Sequence, residues 1–146
     1  MKLRKHSAPL ILAVFCAALA AGGCVKVVTD PQEVEKSPQA AAYRAYVKAI
    51  QDGNWLDIMR DVTSEISEKL QMIGGSEQHL AMFRESLASD IKFTKLRVEG
   101  RKAVLSATGK AQGAPATCEI QLRLQGKYWR IEKDEWQPSG QPVLPM

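Results

Sequence analysis

The chain has 146 residues, a length that fits one domain, with 20 basic and 16 acidic side chains. Three of the cations, Lys2, Arg4 and Lys5, stand at the very start, so from Cys24 onward the balance is 17 against 16, which gives no electrostatic basis for a nucleic-acid partner. Beyond Cys24 one cysteine, Cys118, and one histidine, His79, remain, which excludes a disulfide framework and a multi-histidine metal site within this chain.

The basic head runs into an apolar stretch from Ala8 to Leu19, and small residues then lead to Cys24. This is the three-part layout of an export signal. Its ~12 apolar residues fall short of the ~20 that span a bilayer. An uncleaved anchor and a plain secretion signal are the alternatives to removal before a lipid-bearing cysteine. The run Ala21-Gly22-Gly23-Cys24 resembles the lipobox of bacterial lipoproteins. That resemblance implies a diacylglycerol on the Cys24 thiol, cleavage just before it, and the membrane as a partner through that lipid. Residues 1–23 are then the signal, and Cys16, inside the apolar run, leaves with it. Val25 is not the aspartate that holds such proteins at the inner membrane. The resemblance therefore implies the cell envelope, at the outer membrane facing the periplasm in a Gram-negative host.

Residues 24–37 have little periodicity and read as a tether, which as a flexible coil spans on the order of 20 Å. Ser37 and Pro38 are suited to the N-cap and first position of a helix. Tyr43, Tyr46, Val47 and Ile50 fall on one face of it, and Gly53 ends it. Asn54 caps a second helix with the stripe Trp55, Met59, Val62, Ile66, Leu70 and Ile73, with a candidate break at Thr63–Ser64. Ser76 opens a third helix that buries Leu80, Phe83 and Leu87.

The period then changes to two. Ile91 and Phe93 are out of phase with Leu96 and Val98, which a bulge near Thr94 reconciles. After a Gly100–Arg101 turn comes a second strand. The third is the clearest, with Cys118, Ile120, Leu122 and Leu124 inward and Glu119, Gln121 and Arg123 outward. Gly126–Lys127 turns into a fourth, with Trp129 and Ile131 inward. The Pro- and Gly-rich tail, 137–146, reads as disordered. Helices followed by hairpin-connected strands define an α+β domain over residues 38–136: three helices on a four-stranded antiparallel meander.

The stretches "AYVKAIQDGNWLDI" and "LRLQGKYWRIEKDEW" resemble the first-helix corner and last hairpin of the nuclear-transport-factor-two-like superfamily. The resemblance implies a cone-like domain that holds either a packed core or a ligand cavity. Tyr43, Tyr46, Trp55 and Trp129 are its candidate cavity-lining residues, weighed against a role as ordinary core. Trp136 belongs with them. Enzymes of that superfamily such as ketosteroid isomerases set a carboxylate with tyrosine in the cone. Here Glu119 and Glu132 both fall on outward phases, and no catalytic residue is assigned.

No Gly-rich phosphate loop, Cys-x-x-Cys, His-Glu-x-x-His or Gly-x-Ser-x-Gly occurs. Ser76 three residues before His79 is read as a helix cap rather than a nucleophile and base. Cys118 is read as a small buried hydrophobe. Asp57, Asp61, Glu65 and Glu68 make an acidic face. It is expected to be solvated, with Glu65 paired to Lys69, over a weak divalent-cation site or a face for a basic partner. Neither metal nor cofactor is expected. The functional expectation is a membrane-anchored envelope lipoprotein with a small non-catalytic binding or assembly domain, with an envelope protein as its candidate partner. The alternative is a small hydrophobic ligand carrier or enzyme using the cone cavity.

Overall fold

The computed structural model describes residues 24–139. The expected signal, residues 1–23, and positions 140–146 of the expected tail lie outside the described residues. The domain is α+β. In chain order come β1 (Val25–Val28), α1 (Pro31–Glu35), α2 (Pro38–Asp52), α3 (Trp55–Asp61), α4 (Ser64–Ile73) and α5 (Glu77–Ser86). The strands β2 (Ser89–Glu99), β3 (Lys102–Ala111), β4 (Ala114–Gln125), β5 (Tyr128–Lys133) and β6 (Gln137–Pro138) follow. The strands form one antiparallel sheet in the order β1-β2-β3-β4-β5, with β6 added to the free part of β4.

Among the described residues there are thus five helices and six strands, against an expectation of three and four. The extra elements have local causes. Val62 and Thr63 leave the helical region, so the long second helix splits into α3 and α4. Thr63 is buried and donates its N–H to the Ile131 carbonyl at 3.0 Å, which covers the outer edge of β5. Residues 24–37 are not a free tether. Val25–Val28 pairs with Leu96–Glu99 as an edge strand. Asp30 caps α1, whose Val34 is fully buried. Glu35 then grips Arg44 of α2 at 2.9 Å, and Arg44 lies over the Phe93 ring and donates to the Ile91 carbonyl. The expected tail also begins in the fold, since Gln137 and Pro138 pair with Thr117 and Ala116.

One face of the sheet carries the core. Tyr43, Ile50, Ile58, Leu105, Ile120, Leu122 and Ile131 are its largest fully buried side chains. The register slips between Phe93 and Lys95, and this bulge returns both Phe93 and Leu96 to the buried face. Two glycines fix how the helices meet. Gly53 ends α2 at φ +68°, where a Cβ would also strike the Arg84 guanidinium at 2.6 Å. Gly75 lies so close to the Trp55 indole that a Cβ would stand 2.4 Å from it.

Candidate functional site

Two features could carry chemistry: a half-buried polar knot and an open cleft. The knot is made of Tyr43, Asp134 and Trp136. The Tyr43 hydroxyl donates to Asp134 Oδ2 at 2.9 Å and accepts the Trp136 Nε1–H at 3.2 Å. Helix α2 supplies the tyrosine from its apolar face, and the β5–β6 connection supplies the other two. Asp134 reaches the interior through a register slip. Leu122 faces Ile131 and Gln121 faces Lys133, so Glu132 is an extra residue in β5. A one-residue bulge inverts the alternation beyond it, and Asp134 turns inward where simple alternation points it outward.

Burial sets the electrostatics of the knot. Desolvation is the main cause that raises the Asp134 carboxyl to about 6, and the Tyr43 hydrogen bond opposes it. Tyr43 and Tyr46 are held neutral far above the usual phenol range, first by burial and then by the Asp134 charge. Burial likewise pushes the Cys118 thiol up to about 12, so it is not a nucleophile near neutral pH.

The cleft has a volume of about 550 Å³ and lies where the start of α2, the end of α3 and the β4–β5 turn come together. Ala42, Ala45 and Trp129 give it an apolar wall, and Arg60, Asp61, Lys127, Tyr128 and Arg130 give it a polar rim. Asp61 Oδ1 meets Arg60 Nε at 3.4 Å, while Oδ2 is buried without a hydrogen-bond partner. Desolvation raises its carboxyl above the ordinary aspartate value, against the pull of Arg60.

The four candidate lining residues therefore separate. Tyr43 and Tyr46 are core residues. Trp55 packs edge-on to Phe83 and beside His79 and Gly75. Of the four, Trp129 alone borders the cleft. The acidic face is divided by the α3–α4 break. Arg60 holds Asp57 and Asp61, and Glu65 pairs with Arg123 at 2.9 Å rather than with Lys69. Among the described residues no group of three or more His, Cys, Asp or Glu side chains is placed to hold a metal ion. Ser76 caps α5, its Oγ accepting the His79 N–H at 3.3 Å, with His79 Nδ1 at 2.8 Å. Sequence reasoning misses Asp134. The signal for it is Trp136, two residues on and in the same phase, together with the need of a buried Tyr43 hydroxyl for a partner. No protein family model, no curated protein and no solved structure matches the chain.

Proposed function

We propose that this chain is a lipid-anchored protein of the bacterial cell envelope whose domain is a non-catalytic binding or assembly module, in a cone-like arrangement akin to the nuclear-transport-factor-two-like superfamily. The observation that carries the anchor is the Ala21-Gly22-Gly23-Cys24 run behind a basic head and an apolar stretch, with Cys24 exposed at the outset of the folded domain. A modifying enzyme and a peptidase can reach a cysteine in that position. In a Gram-negative host the outer membrane is the destination. No helix among the described residues is long and apolar enough to cross a membrane, so a spanning helix in that part of the chain does not compete with the lipid as the anchor.

Three features support a non-catalytic module. Aromatic and aliphatic side chains fill the space between helices and sheet. The Asp134 carboxylate is tied to Tyr43 and does not line the cleft. The one buried thiol among the described residues, Cys118, is held protonated. The test is the mass of the protein extracted from membranes of a bacterium that expresses the full chain. The expected product begins at Cys24 and carries a diacylglyceryl adduct, while Cys24→Ser accumulates as the uncleaved precursor. Normal cleavage and membrane retention of Cys24→Ser would overturn the proposal.

A second reading has its own observation. The unpartnered oxygen of Asp61 sits at a cleft with an indole wall, an arrangement suited to a small amphiphile that presents a hydrogen-bond donor. Under this reading the domain is a ligand carrier, and Asp61→Asn would abolish the rise in melting temperature that such a compound gives the wild-type protein.

A further inference from the structure

The incorporation of residues 25–35 into the fold changes what an anchor at Cys24 would do. Cys24 is followed at once by β1, so a single peptide link, ~3.8 Å between Cα atoms, joins it to the sheet. The register places Val25 opposite Glu99, Glu99 opposite Lys102, Lys102 opposite Arg123 and Arg123 opposite Arg130. These five residues form a row across one end of the sheet. Beyond the row lie Cys24 and the tips of two hairpins, Gly100–Arg101 and Gly126–Lys127. The tips are tied to each other: Leu124 donates its N–H to the Arg101 carbonyl at 2.7 Å, and Arg101 Nε donates to the Leu124 carbonyl at 3.2 Å.

This end is basic. Arg97 balances Glu99, and Arg123 is taken up by Glu65 and Glu132. Lys26, Arg101, Lys102, Lys127 and Arg130 have no salt-bridge partner among the described residues. Tyr128, 66% exposed, stands beside them with the Arg130 guanidinium 5.4 Å from its ring. The other end of the sheet, at the Ala111–Ala114 turn, is ~30 Å away, given ten residues of β3 at ~3.3 Å each. That is several Debye lengths in physiological salt, and its Lys110 is paired with Asp90.

The geometry points to this end of the sheet as a docking surface for the anionic lipid bilayer to which Cys24 is attached. The inference rests on the lipoprotein reading. With so short a connection, the lipid brings the neighbouring Gly100–Arg101 tip within about a Debye length of the headgroups, and the attraction of lysine and arginine to acidic lipid draws down the Gly126–Lys127 tip, three to four strand spacings of ~4.8 Å across the sheet. Tyr128 supplies the amphipathic ring suited to the interface. The domain then stands with its strands pointing away from the membrane and the Ala111–Ala114 turn outermost.

The test uses the full chain, expressed in a bacterium, extracted from its membranes and reconstituted into vesicles. The vesicles contain phosphatidylcholine alone or with about one third phosphatidylglycerol. Lys127→Cys and Ala114→Cys are labelled with an uncharged polyethylene-glycol maleimide; Cys118 is buried and does not compete. With acidic lipid at low salt, labelling of Lys127→Cys is expected to slow by about fivefold or more relative to phosphatidylcholine alone. High salt should reverse the effect, as should adding Arg101→Glu and Lys102→Glu. Ala114→Cys should label equally fast throughout. Intact mass is read on every sample. A diacylglyceryl adduct on Cys24 with no protection of Lys127→Cys overturns the docking inference alone. Protection of the same size in phosphatidylcholine removes its electrostatic basis. Absence of the adduct overturns the lipoprotein reading and this inference with it.

Discussion

Replacement of Asp134 by asparagine isolates the titration of the half-buried knot. Asp134 is raised from an ordinary value of 3.8 to about 6, mainly by desolvation. The folded state therefore binds this proton more tightly than the unfolded state. The stabilisation is complete below about pH 4 and is lost as pH rises through 6. At about 1.36 kcal/mol for each pH unit between the two values, the difference is worth ~3 kcal/mol. Most of that disappears between pH 4 and pH 7. The asparagine side chain would keep an oxygen for the Tyr43 hydroxyl but has no proton to lose, so the stability of the variant lacks this slope. Two other carboxylates shift as well: Glu65 is held below the ordinary glutamate value and contributes the opposite trend, and Asp61 is raised by burial and adds to the trend of Asp134. The difference between wild type and Asp134→Asn cancels them. Urea denaturation of both proteins at pH 4, 5, 6, 7 and 8 measures it. Relative to the variant, the wild type should lose about 2.5 kcal/mol across the series, since part of the difference lies below pH 4. A difference that stays flat within about 0.5 kcal/mol would refute the burial argument for Asp134.

Cys118, 3% exposed and with its thiol pushed up to about 12, should resist a disulfide reagent in the native protein and react at once in urea; fast native labelling would place β4 one residue out of register. Ile131→Ala should cost about 2–5 kcal/mol, since Ile131 is fully buried, whereas Trp129→Ala should cost only ~2 kcal/mol, about half the loss for a fully buried ring, because its indole borders the cleft. Equal losses in chemical denaturation would mean that the cleft is closed. Gly75→Ala should destabilise by about 1–3 kcal/mol and shift the tryptophan emission, because its methyl group overlaps the Trp55 indole; an unchanged melting temperature would contradict that packing.

The elements most readable in the sequence are those in which local chemistry and tertiary demand agree. Ser37, Asn54 and Ser76 all cap helices, each accepting a backbone N–H in the first turn, and Gly53 ends α2. The phase conflict between Phe93 and Leu96 requires a bulge, and the register has one there. What stays hidden depends on partners distant in sequence. Val25–Val28 has the composition of a strand, but its four residues make one only because the end of β2 is free to pair with them. Glu132 has the pattern of an ordinary outward residue. Its bulge becomes visible only through the pairing of β4 and β5, and with it the inward turn of Asp134. The acidic stripe follows the spacing of one helix, whereas the need to cover the β5 edge with Val62 and Thr63 divides that helix.

The two edges of the sheet are closed in different ways, and the difference bears on the anchor proposed at Cys24. At β5 the Val62–Thr63 segment supplies a bridge and a backbone hydrogen bond from within the helical layer. At β2 the cover is β1, the first described element of the chain, and it occupies four residues of an eleven-residue strand. An edge strand this short has few hydrogen bonds of its own, and Val25 and Val27 remain about half exposed. Its hold comes from the segment that follows it, through buried Val34 and the Glu35–Arg44–Ile91 chain of contacts. Force or disorder transmitted from Cys24 therefore meets β1 first and α1, with its buried Val34, next. A lipid-bound domain built this way can lose the pairing of β1 locally while the helices and the other strands stay folded. Under the lipid-anchored proposal, the same pairing, when formed, would hold the basic end of the sheet against the membrane.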